Sequence, residues 1–296
     1  MIWCSGWELA SAVSNAGGLG LIGAGSMTPE ILESHIIKCQ QATSNPYGVN
    51  IPLIYSRVEE QIDIVLKHEV KVIFTSAGNP AKWTQKLKDH GCKVVHVVAN
   101  TKSALKCEEA GVDAMVAEGF EAGGHNGKEE TTTFTLIPMV REVSGLPLIA
   151  AGGIGTGRQM LAAIALGADA VQLGSRFAAS EESSAHVAFK NKILETGDGG
   201  TYLSMKSVIP VRLIRNHFFD EIQTLEGQGV SSERIKEILG HGRAKKGMFE
   251  GDLEEGELEI GQVSALIHEI KPAAAIIEEI ISEYNAALSL LEKNRI

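Results

Sequence analysis

Short apolar runs that break into glycine recur along this chain about every 20 to 30 residues, and that rhythm limits the fold more than any other feature. Asp113-Ala114-Met115-Val116-Ala117 empties into Glu118-Gly119, Pro147-Leu148-Ile149-Ala150-Ala151 into Gly152-Gly153, and Ala170-Val171-Gln172-Leu173 into Gly174-Ser175-Arg176. Each run reads as a short buried strand. The stretches between them read as helices. Thr28-Pro29 offers a capping hydroxyl and a proline at the first helical position, and Leu32, Ile36 and Cys39 follow on one face. Strands are expected at 19–22, 47–51, 70–76, 93–98, 113–117, 147–151 and 170–176, and the helices between them include 7–15, 56–68, 81–90, 102–110, 134–143 and 156–166. An internal echo supports the repeat. Ala110-Gly111-Val112-Asp113-Ala114 and Leu166-Gly167-Ala168-Asp169-Ala170 each place a helix-ending glycine and an aspartate ahead of a strand. Alternation of this kind builds a parallel sheet with a helix after every strand. The fold class is therefore α/β, a (β/α)8 barrel of the TIM type in which seven strands can be counted and the first is missing.

The composition agrees with a soluble globular protein, either one barrel-sized domain or two smaller ones. With 296 residues, 44% of them hydrophobic, the chain can bury a barrel-sized core. No run approaches the length of a membrane span, and the N-terminus lacks the order of a signal peptide. Cys4, Cys39, Cys92 and Cys107 are scattered without a C-x-x-C pair, so no metal site or disulfide framework is expected and a cytoplasmic setting is. A formal net charge of −10 argues against a nucleic-acid surface. Past residue 178 the pattern changes to charge-rich helices. The expected divisions are a barrel over 1–177, an inserted helical lid or cap over 178–260, and helices packing on the barrel over 261–296. The acidic run 250–259 reads as a solvated surface.

Chemistry is expected at the strand ends, because the loops there carry the active sites of α/β barrels. The loop from Glu118 to Gly127 holds the most informative cluster. Gly123 and Gly124 permit a close backbone approach to a ligand, and His125 titrates near neutral pH. Gly152-Gly153 and Gly174-Ser175 lie one repeat apart near the end of the series, where barrels hold a phosphate on backbone N–H groups. Asn50, at the end of its strand, offers an amide to a heterocycle or caps a turn. Glu118 can accept a hydroxyl or orient the base, whereas Glu121 reads as solvated. Gly261-Gln262 either touches the ligand or merely starts a helix. Gly18-Leu19-Gly20-Leu21-Ile22-Gly23 has dinucleotide-binding spacing but lies across a strand instead of following one, so that reading is rejected.

These residues resemble the nitronate monooxygenase family, formerly the 2-nitropropane dioxygenases, which includes the flavin-dependent enoyl-acyl-carrier-protein reductases. The resemblance rests on Ala16-Gly17-Gly18-Leu19-Gly20, Gly48-Val49-Asn50, the highly specific Glu121-Ala122-Gly123-Gly124-His125, Ala150 to Ile154, Gly174-Ser175-Arg176 and Gly261-Gln262. It implies an FMN-binding barrel with an inserted second domain. Gly152, Gly153, Gly174 and Ser175 would cradle the FMN phosphate. Asn50, Glu118 and Gly124 would line the rest of the flavin, with Met1, Gly123, Ala151 and Gln262 also against it, and His125 falls on the family's catalytic histidine. Two chemistries follow from the family: oxidation of alkyl nitronates to carbonyl compounds and nitrite, and reduction of an enoyl thioester with NAD(P)H as reductant. The second would bring acyl carrier protein as a partner, and a homodimer is an open option. Thr75-Ser76-Ala77-Gly78-Asn79-Pro80 and His125-Asn126-Gly127-Lys128 resemble the reductase branch. Family members begin about two dozen residues earlier, with a first strand ending in Gly-Gly-Met that Met1 matches, so an open slot with unpaired edges is expected. A phosphate-binding barrel without flavin and an inactive barrel are the competing readings.

Overall fold

In the computed structural model, which describes residues 1–240 and 242–293, the expected parallel strands form one curled seven-stranded sheet. In chain order these are β1 (Gly20–Gly23), β2 (Tyr47–Pro52), β3 (Val72–Ser76), β4 (Lys93–Val98) and β5 (Ala114–Glu118). A two-residue strand, β6 (Gly124–His125), leaves the sheet, and β7 (Leu148–Ala151) and β8 (Ala170–Gln172) then complete it. Every neighbouring pair is parallel. The helix Pro29–Ala42 shows how the connections form: Thr28 Oγ1 accepts the N–H of Ile31, and Leu32, Ile36 and Cys39 are fully buried. The Gly157–Ala165 helix opens with a Thr156/Gln159 capping box.

Both faces of the sheet are covered, which explains why its strands read as continuous apolar runs. Ile73, Val94, Met115, Ala117 and Leu148 pack outward against helix residues such as Ile36, Ile62, Leu87 and Leu136. Phe74, Val95, Val116 and Ala151 pack inward. Complete burial of each large aliphatic or aromatic side chain contributes roughly 1.5–3 kcal/mol.

The two ends of the sheet do not meet. Among the described residues β1 and β8 pair with no further strand. The first six residues lie beside β1, where Ser5 O accepts the N–H of Gly23 at 3.0 Å and Ser5 Oγ donates to Leu21 O at 2.6 Å. Met1 reaches the other end: a Cβ built on Gly174 would stand 3.8 Å from its Cγ and Sδ.

The region after residue 178 departs from the helical expectation. Besides the helices Val187–Leu194, His217–Gly227 and Ser232–Leu239 it contains a hairpin of β9 (Thr201–Ser204) and β10 (Val211–Ile214), and β10 also pairs with β6. The strands are four residues long, too short for a clear alternation, and their burial is supplied by Phe218, Ile222 and Ile235 folding over Leu213. At the end of the chain, Ala273–Lys293 packs on the Gly157–Ala165 helix, with Ile276 and Ile280 buried and Glu283 Oε2 accepting the N–H of Gly157 at 2.7 Å. Residue 241, in the expected division 178–260, and residues 294–296, in 261–296, lie outside the described residues. All four cysteines are buried and free. No helix among the described residues is long and apolar enough to cross a membrane, and no metal-binding cluster occurs among them.

Candidate active site

The register brings three distant polar positions to the top of the inner face. Asn50 pairs with Phe74, Phe74 with Val95 and Val95 with Ala114, so Asn50 shares the face of β5 that Glu118 continues four residues later. Glu118 pairs with Ala151 and Ala151 with Gln172. The result is a row at the carboxyl ends of the strands with an apolar centre and two polar flanks. Neither flank is satisfied from within. The carboxyl of Glu118 has no hydrogen-bond partner among the described residues, and burial pushes it up to about 7. Gln172 Oε1 is buried without a partner. Asn50 accepts a weak hydrogen bond from Ser76 Oγ at 3.3 Å and keeps its amide N–H groups free.

Beside this row the glycine turns converge. Gly152 and Gly153 take φ values of +91° and +67°, open to glycine alone at little strain, and turn the chain sharply out of β7. Thr133 pins the turn. Its hydroxyl shares its one proton between Gly152 O at 2.9 Å and the Glu121 carboxylate at 3.0 Å, and its backbone N–H donates to the same carboxylate. The expectation of a solvated Glu121 is thereby corrected: the carboxylate terminates the free N–H at the start of the Thr133–Val143 helix. Glu121 O in turn accepts the N–H of Gln262 at 2.9 Å, and Ser175 Oγ accepts the N–H of Gly261 at 3.0 Å. Gly123 packs flat on this segment, where a Cβ would stand 2.4 Å from Ile260 C. Loops following β5, β7 and β8 and the segment 260–262 thus form one cradle. Within it the backbone N–H groups of Gly153, Gly174 and Ser175 have no partner among the described residues. Free N–H groups converging at strand ends are an anion site.

Gln262 joins the cradle through its backbone while its side chain is exposed. Ala151 is buried and accepts the N–H of Gly119. Met1 lies 40% exposed at the mouth beside Gly174. His125 sits on β6 with an exposed, unpaired imidazole. Its loop is held on one side by Asn126, whose Nδ2 bonds Ala122 O and Gly124 O at 2.9 and 3.0 Å, and on the other by the pairing with β10.

Five contributors escaped the sequence reading. Gln172 was a lone polar residue in an apolar strand, a signal that was present. Thr133 and Arg212 carried none: Arg212 is 2% exposed, bonds Phe120 O at 3.1 Å and lies over the Phe120 ring, and only tertiary packing creates that place. Glu259, with Glu257, corrects the far end of the acidic run, whose earlier acids Glu250, Asp252, Glu254 and Glu255 are solvated as expected. Leu258 and Ile260 are buried to the other side, so both carboxyls point toward the mouth, and burial raises Glu257 to about 8 and Glu259 in the same direction. Glu-Leu-Glu-Ile is the period-two signature of a strand-like segment, masked by the acids around it.

The chain is similar to FabK from Thermotoga maritima, with 42% identity over 99% of this chain and 93% of that one and a TM-score of 0.95. It is 31% identical to a probable nitronate monooxygenase of Staphylococcus aureus, covering 94% of this chain and 90% of that protein. A nitroalkane oxidase of Streptomyces ansochromogenes follows at 26% identity, over 97% of this chain and 94% of that one, with a TM-score of 0.84. The family model described as nitronate monooxygenase matches residues 1–61 and 52–283. On that match, and on the identity to the probable nitronate monooxygenase, this chain belongs to the nitronate monooxygenase family.

Proposed function

We propose that this protein is an FMN-dependent oxidoreductase that uses NAD(P)H to reduce the double bond of an enoyl thioester carried on acyl carrier protein. The observation that carries the flavin assignment is the cradle itself: three unpartnered backbone N–H groups beside an inner-face row whose Glu118 and Gln172 are also unpartnered. Members of the family are flavin-dependent oxidoreductases, and the residues present fit the group. Gly153, Gly174 and Ser175 would hold its phosphate. Asn50, Glu118 and Gln172 would meet its polar edge and hydroxyls, with Gly123, Gly124, Gly152, Ala151 and Met1 forming the walls and Gln262 closing one side. A bound flavin supplies the hydride or electron transfer that no side chain here can perform.

The remaining work falls to His125. An exposed imidazole beside the cradle can hydrogen-bond a thioester carbonyl and deliver a proton to the adjacent carbon. Greater identity to FabK, a flavin enoyl-acyl-carrier-protein reductase, than to the probable nitronate monooxygenase supports the reductase. Nitronate oxidation is the second reading, favoured by the family model, and there the same imidazole would take a proton from the neutral nitroalkane.

The test is anaerobic mixing of the purified flavoprotein with NADH, NADPH or an alkyl nitronate in turn, following the visible flavin band. Bleaching by a nicotinamide nucleotide, and recovery on adding an enoyl thioester, is expected. Bleaching by nitronate alone would replace the reductase with the second reading. His125→Ala should retain flavin and lose at least about a hundredfold in turnover; unchanged turnover would remove the histidine from the mechanism.

A further inference from the structure

The hairpin of the inserted region does more than cover the strand ends. Along one edge of β10 the partners change in mid-strand: Val211 pairs with His125 and Arg212 with Gly124, and then Leu213 pairs with Glu259 instead of continuing along the histidine loop. Ile214 N–H donates to Leu258 O at 3.0 Å and fixes that second partner. Residues opposite Val211 and Leu213 project to the same side of β10, two residues apart, a separation of roughly 6.6 Å along the strand. His125 and Glu259 are therefore side-by-side neighbours although 134 positions separate them in sequence. The carboxyl reaches across the gap: Glu259 Oε2 lies 2.6 Å from where a Cβ on Gly124 would stand, a close approach that only glycine permits. Neither the carboxyl nor the imidazole makes a side-chain hydrogen bond or ion pair among the described residues, with each other or with a third group, and the proximity of the two registers only as the charge of His125 acting on Glu259.

A half-buried carboxyl without a partner is costly, and its nearest available donor is the neighbouring imidazole. We propose that Glu259 is the positioning residue for His125, accepting one ring N–H so that the other nitrogen is presented to the substrate. Gly124 is the spacer that lets the two meet. This pairing rests on the function proposed above and deepens it. It also gives the inserted region a part in the reaction, since β10 is what aligns the segment carrying Glu259 with the strand carrying His125.

The other groups facing the pair make the arrangement sensitive to pH. Burial raises Glu259, and the charge of His125 and the Met1 amino group oppose that rise. Glu257 from the same segment, also raised by burial, stands next to it with Arg243 behind. Tyr55 arrives from the loop after β2, and Cys4 from the first residues. Glu118 lies across the Met1 amino group. The ionised Glu259 accepts an imidazole N–H in a charge-assisted bond about twice as strong as that to the neutral acid, so activity should fall on the acid side at a pH above the ordinary carboxylate range.

Glu259→Gln in the flavin-loaded enzyme tests the pairing. Flavin content should match the wild type and the melting temperature should be no lower, kcat/KM should drop about a hundredfold, and the acid limb of its pH profile should vanish. On a His125→Ala background the same substitution should change nothing further, because the carboxyl acts through the ring. An independent readout without substrate is the ¹⁵N signal of the His125 ring, assigned by its loss in His125→Ala. It should show a second inflection from the carboxyl in the wild type and none in Glu259→Gln. Turnover within twofold of wild type, an equal loss on the His125→Ala background, or identical ring titrations in the two proteins would overturn the pairing. Should Glu259→Gln not fold, a wild-type ring titration with a single inflection overturns it alone. A wild-type enzyme that turns over neither substrate refutes the proposed reaction instead, and the ring titration still decides the pair.

Discussion

Glu118 offers the sharpest measurement of whether the inner face is built to receive a ligand. Its carboxyl stands at the end of β5 on the inward side, has no hydrogen-bond partner among the described residues, and is raised from 4.5 to about 7 by burial. An acid whose folded pKa lies above its unfolded value binds its proton more tightly in the native state. Stability that is fully present below about pH 4.5 is then lost as the pH rises through about 7. At about 1.4 kcal/mol per pKa unit, the full loss for a shift of this size is roughly 3 kcal/mol. Glu118→Gln keeps the shape and removes the titration. Urea unfolding of flavin-free wild type and variant, measured from about pH 4.5 to 8.5, should give equal stabilities at the acid end and a variant more stable by roughly 3 kcal/mol at the alkaline end. Glu257, raised to about 8 by burial, and Glu259, raised in the same direction, are common to both proteins and cancel in the difference. Parallel curves across the range would mean that the carboxyl is solvated or paired, and the row from Glu118 to Gln172 would no longer offer unpartnered polar groups to a ligand.

Two further substitutions probe the cradle. Gly123→Ala places a methyl group 2.4 Å from Ile260 C and 2.5 Å from Gly261 N, both backbone atoms that can yield only by moving the segment off Ser175. A loss of about 1–3 kcal/mol and weakened flavin retention are expected, and a variant that melts and holds flavin like the wild type would show that the packing is loose. Thr133→Val keeps the shape but removes the hydroxyl bonds to Glu121 and Gly152 O. Denaturant midpoints should report a loss of about 1–3 kcal/mol, and no change would mean that the Gly152-Gly153 turn holds without its clamp.

Reading the sequence worked best where a local rule was sufficient. The Thr28-Pro29 start, the buried face of Leu32, Ile36 and Cys39, and the glycines ending the strands each depend on a few neighbouring residues. Their places in the structure follow from propensity and period. The cradle was legible for a related reason, since the need for glycine at a backbone approach is written in the residue itself. The hairpin of β9 and β10 was missed, and so were Thr133, Arg212 and the inward turn of Glu257 and Glu259. Each owes its position to a partner dozens of residues away.

The sequence alone therefore determined the α/β repeat and the glycines that end its strands, because these are properties of short segments. Only the folded chain decided what stands opposite what. The register of β10 places Glu259 next to His125, the register of β5, β7 and β8 aligns Glu118 with Gln172, and the gap between β1 and β8 is bordered by residues 1–6. The physical reason is that register arises from the burial of whole faces at once, a sum over the sheet that no single stretch contains.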